Sequence, residues 1–394
     1  MTTAGVEGRL MRVLHVIEAM HQGGAESLVI EHARHAGPGV EVLVAALNRG
    51  GPALEAARAH GARTFVLGGR GAPPRRIARL AALMRRERVV AVNGHNPTGA
   101  LYATLAARLS GIPIVIRTEH SLHYPGRHSL LYRWLEPLMT VLTRRVVCVC
   151  QAVLHSHVSR LPWAARRFVN VANGISPAPH TRPREVLRRE LELDPADRVV
   201  INVGSLTWQK AQHVLLEGFA ETARTQPRAR LWVVGEGPRR AELETLARTL
   251  GIAERVQFLG ARGDVSELMV AADVFVLSSV REGLSVTLLE AMRAGRPAVV
   301  TGIGGNAEAV VDGETGRVVA VDDRAALARA LGELLADPAR AAMLGAAAER
   351  RWRVRFTAER MVRETEALYR ERPDRTAAPA AWTGAGTEER HAAS

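Results

Sequence analysis

A chain with 53 basic residues contains a single lysine. Lys210 stands in "NVGSLTWQKAQHVLLEGF", between an apolar run that reads as a strand and an amphipathic run that reads as a helix. A helix start offers unpaired N–H groups and a partial positive charge, and so attracts anions. Lysine adds a compact point charge there, which the planar arginine fork does not duplicate. A drifted surface lysine is the plainer explanation, weakened by its solitude among so many arginines.

The second informative stretch is "LSSVREGLSVTLLEAMRAGRP", residues 277–297. Ser285 suits a helix N-cap, and Gly295 with Pro297 suits the helix end. Glu282 lies in the loop before the cap. Glu290 lies inside the helix, about 7–8 Å beyond the cap at roughly 1.5 Å per residue. Val286, Leu288, Leu289, Ala291 and Met292 make its surroundings apolar, so its carboxylate must be paired or face a ligand. Two carboxylates accept hydrogen bonds from hydroxyls, and the helix start between them takes an anion. Sugar, diphosphate and ribose follow in that order in a nucleotide-sugar. Taken singly, a surface Glu282 and a structurally paired Glu290 explain the same residues. Gly235 and Gly237 flank a turn in "WVVGEGP", a spacing that turn geometry alone also explains.

These loops need a frame. "LMRVLHVIE", "EVLVAAL", "TFVLG", "RVVAVNG", "PIVIRTE" and "RVVCVCQ" predict buried strands, separated by helical runs such as "RIARLAALMRRER" and "ALYATLAARLSG". The pattern restarts with "RVVINVGSL", "ARLWVVGEG", "RVQFLGA", "VFVLSSV", "PAVVTGI" and "GRVVAV". Such alternation predicts an α/β chain of two doubly wound parallel sheets facing across a cleft. The expected divisions are a first Rossmann-like domain over 9–178 and a second over 179–358. A last helix follows over 359–372, with the option of crossing back to the first domain. Residues 373–394 have the composition of a disordered tail. "NGISPAPHTRPRE" and "EVLRRELEL" between the sets read as linker. Ligands in such sheets bind beyond the carboxyl ends of the strands, where Lys210, Glu282 and Glu290 fall.

Composition narrows the classes. Hydrophobic content of 47% and charged content of 24% fit a globular protein. No run approaches the ~18 uncharged apolar residues of a membrane span, and the start lacks a signal-peptide layout. A cytoplasmic protein is expected. The net charge of +13 attracts polyanions, yet aromatics are only 4% and no basic stripe is interleaved with them, which disfavours nucleic acid. Contact of the basic first half with an anionic membrane inner face stays open. Cys148 and Cys150, two apart on a strand, read as buried thiols rather than a bridge or a metal site.

Over most of its length the chain resembles the retaining family 4 glycosyltransferases, which adopt the GT-B fold of two Rossmann-like domains. Glu282 and Glu290 match their E-x7-E motif. "HQGGAES", "VANGIS", "VGEGP", "RVQFLGARGDVSELMVAADVFVLSS", "GIGGNAEAV" and "DGETGRVV" follow the family pattern nearly in register. The resemblance implies that Lys210 binds the donor diphosphate. It places Glu282 at the hydroxyls of the transferred sugar, with Gly283, Leu284 and Ser285 lending backbone N–H groups, and Glu290 at the ribose. His120 matches the histidine near the sugar's reacting face, with His123 as an alternative. Gly23 and Gly24 match the loop that approaches phosphates or acceptor; Gly204, Ser205, Gly235 and Gly237 complete the donor loops. Ser205 replaces a common arginine, and Arg281 or Arg262 are the candidates to restore that charge. Ser176 stands where an acid is common. His95 and Tyr124, with His123, are the candidates on the acceptor side.

The expected activity is transfer from a UDP-, GDP- or ADP-sugar to a glycan, lipid-linked or small-molecule acceptor. No cofactor is expected. No convincing D-x-D metal motif is seen, so Lys210 and the helix starts would stabilise the leaving diphosphate. Two other readings remain: a nucleotide-sugar epimerase of the same fold, and a non-catalytic protein that binds polyanions or membranes.

Overall fold

The computed structural model describes residues 10–21, 23–68, 73–122, 127–178 and 182–371. Two all-parallel sheets are built from the apolar runs. The first holds β1 (Met11–Ala19), β2 (Val40–Arg49), β3 (Arg63–Val66), β4 (Ala91–His95), β5 (Ile114–Glu119), β6 (Arg145–Cys148) and β7 (Phe168–Asn170). Its order is β3-β2-β1-β4-β5-β6-β7. The second holds β8 (Arg198–Val203), β9 (Ala229–Val234), β10 (Val256–Gly260), β11 (Val274–Leu277), β12 (Ala298–Thr301) and β13 (Gly316–Val319), in the order β10-β9-β8-β11-β12-β13.

The pattern follows from the residues. β-branched and aliphatic side chains point to both faces, so each strand needs helices above and below. In β1, Val13, Leu14, Val16 and Ile17 are all buried. Each sheet reverses its winding once, between β1 and β4 and between β8 and β11. Ligands of doubly wound sheets sit at such reversals. Lys210 follows β8 and Glu282 follows β11, so the two flank the second reversal.

The halves are joined by packing as well as by the chain. One buried cluster runs from Val149 and Val153 of the first half to Leu284, Leu288 and Leu289 of the second. The last helix, Ala358–Arg370, lies on the first half. Its Glu366 accepts a 2.8 Å bond from the Gly37 N–H, and its Tyr369 hydroxyl meets Asn93 at 3.3 Å.

Two local expectations change. "EVLRRELEL", read as linker, folds into the helix Arg184–Glu190. It buries Leu187, and Arg184 and Arg188 grip Asp273 at 2.6 and 3.3 Å. Tertiary partners, rather than its short helical period, order it. β7 was not anticipated, because three residues are too few for a periodic signal. Both thiols are buried and unbridged, and burial pushes Cys150 up to about 12. The tail over 373–394 lies outside the described residues.

Candidate active site

Lys210 is set by the backbone around it. After β8 the chain runs beside the loop after β9: the Gly204 N–H donates to the Val234 carbonyl and the Leu206 N–H to the Glu236 carbonyl, each at 2.9 Å. The loops pass so closely that a Cβ on Gly235 would lie 2.0 Å from the Gly204 carbonyl oxygen. Gly235 also holds φ at +132°, a conformation left to glycine. A short turn, Trp208–Lys210, then leads to Ala211 at φ +47° and into the helix Gln212–Thr225. A left-handed alanine costs roughly 1–2 kcal/mol and persists only when its surroundings hold it. The Ser278 hydroxyl lies 3.0 Å from both the Lys210 and the Ala211 carbonyls, and the Val280 N–H donates to Gln209 at 2.9 Å. The loop after β11 thus clamps the turn and aims the lysine inward.

Its ammonium meets Glu282 Oε1 at 2.5 Å, and the same oxygen accepts a 2.8 Å bond from the Ser279 hydroxyl. Both partners are largely buried, with side-chain exposures of 15% and 10%. Ser285 starts the helix Val286–Arg293, which carries Glu290. Among the described residues Glu290 has no side-chain hydrogen-bond partner. Burial pushes its carboxyl above the ordinary range, against the pull of Arg293 one turn on. A half-buried acceptor without a donor suits a ligand hydroxyl.

These groups line one hollow of about 710 Å³ between the halves. That volume falls in the range of small-molecule sites, roughly 300–1,000 Å³. The first half contributes Gly23, Gly24 and His120; the second contributes Gly204, Ser205, Lys210, Gly235, Glu282, Gly283, Leu284, Ser285 and Glu290. The halves nearly touch there: a Cβ on Gly283 would lie 2.0 Å from the His120 carbonyl oxygen. Gly237 is not on this wall and packs against the Leu206 backbone. His95 is 1% exposed and reaches the hollow only through His120, to which it bonds at 3.0 Å. His123 and Tyr124 lie outside the described residues.

The two arginine candidates differ. Arg262 is taken by Asp264 in two bonds of 2.8 and 2.6 Å. Arg281 lies 6.0 Å over the Trp208 ring, and its buried Nη1 has no partner among the described residues. Among the described residues that line the hollow, Arg281 is thus the cation without an acidic partner. Ser176 shares Glu31 through its N–H at 3.1 Å and its hydroxyl, so an acid reaches that spot from another element. No three His, Cys, Asp or Glu side chains are grouped to hold a metal ion among the described residues.

Two family models match: "Glycosyltransferase Family 4" over residues 22–178 and "Glycosyl transferases group 1" over 183–351. The protein EpsD of Bacillus subtilis, named as a glycosyltransferase, is 30% identical over 293 residues, 71% of this chain and 75% of that protein. The chain belongs to the family 4 glycosyltransferases. This glycosyltransferase is also 28% identical over 241 residues to an Escherichia coli UDP-Gal:alpha-D-GlcNAc-diphosphoundecaprenol alpha-1,3-galactosyltransferase, 58% of this chain and 61% of the relative. The structure of Anabaena HepE in complex with UDP and glucose superposes with a TM-score of 0.80 at 20% identity, covering 92% of this chain and all of that one. The glycosyltransferase therefore has the GT-B fold, and it is an enzyme that transfers sugars.

The two walls of its hollow are electrically unlike. The second half offers an ammonium, two guanidiniums, three carboxylates and helix starts. The first offers His120, whose imidazole burial pushes down to about 4, so it is neutral at physiological pH. Sequence reasoning missed Ser279 and Ser278, which hold Glu282 and the lysine turn. Their "SS" directly after β11 was the available signal. It also missed His15 and His32, which stand behind His95.

Proposed function

We propose that this glycosyltransferase moves a sugar from a nucleotide-diphosphate-sugar to an acceptor hydroxyl, with retention at the anomeric carbon and without a metal. The observation that carries the reading is the meeting of Lys210, Glu282 and Glu290 in one hollow beneath Gly23, Gly24 and His120. In this reading the second half binds the donor and the first binds the acceptor. Lys210 leaves Glu282 for the diphosphate, helped by Arg281 and by the backbone N–H groups of Gly283, Leu284 and Ser285. Glu282, released, takes hydroxyls of the transferred sugar, and Glu290 takes the ribose. As the glycosidic bond breaks, charge grows on the leaving phosphate and on the anomeric carbon. The preorganised ammonium and N–H groups meet the first. Retention rests on the family likeness.

Relatives' names suggest acceptors. The Escherichia coli relative is named for a diphosphoundecaprenol-linked substrate, and a lipid-linked acceptor is the reading we favour here. Trp134, Leu138 and Val141, on one helix, and Trp163 nearby are exposed and apolar. They would meet the membrane surface, although no helix among the described residues is long and apolar enough to cross one.

Thermal shift against UDP-, GDP- and ADP-sugars tests the donor, since a specific binder stabilises only the folded state. One nucleotide series should raise Tm; no shift with any would overturn the reading. Product analysis without acceptor separates it from an epimerase, which converts the donor alone. Full activity in excess EDTA would support metal independence, and its loss would refute it.

A further inference from the structure

Two adjacent strands of the first sheet, β1 and β4, and the residue just after β5 bring three histidines together, and the parallel register arranges them as a staircase. His15 on β1 lies opposite Asn93 on β4. His95, two residues on, shares the face of Asn93 and lies opposite Thr118 on β5. His120, two residues beyond Thr118, shares that face again. The rings meet in series: His15 Nδ1 is 2.9 Å from His95 Nε2, and His95 Nδ1 is 3.0 Å from His120 Nε2. They stack at 5.2 and 5.3 Å with interplanar angles of 19° and 23°. His32, from the helix Gly24–Arg34, closes the row 4.7 Å from His15. Only His120 reaches the hollow.

Aliphatic side chains would fill this face without the desolvation cost of imidazoles. What imidazoles add is order. Burial keeps His15 and His95 neutral by pushing both far below the ordinary range. A neutral imidazole has one N–H and one lone pair. Both nitrogens of His95 are engaged, so it donates at one and accepts at the other. Its neighbours must follow the same sense. His120 Nε2 is committed to this row, and no described residue partners its Nδ1. Glu119, the residue before it at the end of β5, faces Arg117 at 3.8 Å.

We propose that His15 and His95 are positioning residues that hold the His120 ring in one tautomer, giving Nδ1 a fixed hydrogen-bonding sense toward a substrate hydroxyl in the hollow. The proposal rests on reading that hollow as the sugar-transfer site. It makes His95 matter to the reaction without touching substrate.

The test is long-range proton–nitrogen NMR of the full chain with nitrogen-15-labelled histidine, with kinetics alongside. In the wild type, His120 should show the two separate nitrogen shifts of a single tautomer. His95→Leu should average them, and should lower kcat by about tenfold to 10²-fold with a smaller change in donor KM, as for a misplaced reacting group. His95→Asn, whose amide can replace Nδ1, should recover much of both. An averaged His120 in the wild type overturns the proposal, whether or not any variant folds. So does His95→Leu that folds with an unchanged tautomer or unchanged kcat. If His120→Ala keeps full turnover, the transfer-site reading of His120 fails instead, while the tautomer result stands on its own.

Discussion

The two sheets are wound alike and reverse alike, yet the loops at their reversals carry opposite chemistry. At β8 and β11 stand an ion pair and, without a hydrogen-bond partner among the described residues, a guanidinium nitrogen and a carboxyl. At β1 and β4 stands a row of neutral imidazoles. Net charge is divided the other way. Residues 1–178 hold 22 arginines against nine glutamates and no aspartate, whereas residues 179–394 balance at 31 and 31. The first half is thus basic overall and neutral at its reversal; the second is neutral overall and charged at its reversal. Charge at a hollow acts on a bound ligand at short range, and charge spread over a lobe acts on what the lobe approaches. The contrast fits the proposed division, in which the second half takes the charged donor and the first half the acceptor.

The sharpest way to break this contrast is to remove the ammonium. Lys210→Ala should cost about 2.7–4 kcal/mol of transition-state stabilisation, roughly 10²–10³ in kcat. Lys210→Arg should recover little, because a planar fork replaces a point charge in a turn clamped by Ser278. Steady-state kinetics near the wild-type rate for Lys210→Ala would end the assignment. Because Glu282 then keeps only Ser279, a Tm measurement should also show a loss on the order of 1–3 kcal/mol.

Gly283→Ala addresses the seam between the halves. Its Cβ would lie 2.0 Å from the His120 carbonyl, so the halves must part. A shift of about 1 Å can cost on the order of 10² in rate. Turnover should fall while nucleotide affinity by calorimetry changes less; unchanged turnover would show that closure at this point is unimportant.

Acid should expose the neutral row. His32 and His120 sit at about 4 in the folded chain and near 6.5 unfolded. The unfolded chain therefore binds more protons between these values. Stability should decline as pH drops from about 6.5 toward 4, and level off below for these two groups. His32→Phe should flatten the Tm-against-pH curve over that window. A curve of undiminished slope would mean that other groups carry the acid sensitivity.

The smallest expected effect concerns the outer face. Trp134→Glu should weaken flotation with anionic liposomes at low salt and leave transfer to a water-soluble acceptor unchanged. Equal flotation of both proteins would remove Trp134 from any membrane contact.

Much of the frame could be read directly. Runs such as "RVVINV" and "VFVL" are long enough in β-branched residues to be strands wherever they lie, and glycines after helical runs mark the stops. The helix bearing Glu290 was legible from Ser285 and Gly295, because caps are local chemistry. What failed was short or conditional. β7 has three residues, and Arg184–Glu190 becomes a helix by docking on Asp273. His95 lies just past the run "RVVAVNG" read as a strand, and its burial comes from neighbours such as His15 and His120 that only the fold supplies.

The order of residues along the chain settled the number and kind of strands, the helix caps, and the presence of one ammonium and two carboxylates near strand ends. Those rest on backbone propensity and periodicity, which act over a few residues. The folded chain alone decided that Lys210 meets Glu282 across 72 positions. It also decided that Arg281 lacks an acidic partner among the described residues, and that histidines from β1, β4 and the loop after β5 join in a row. Pairings of that kind depend on strand order and register, which the whole hydrophobic core selects at once.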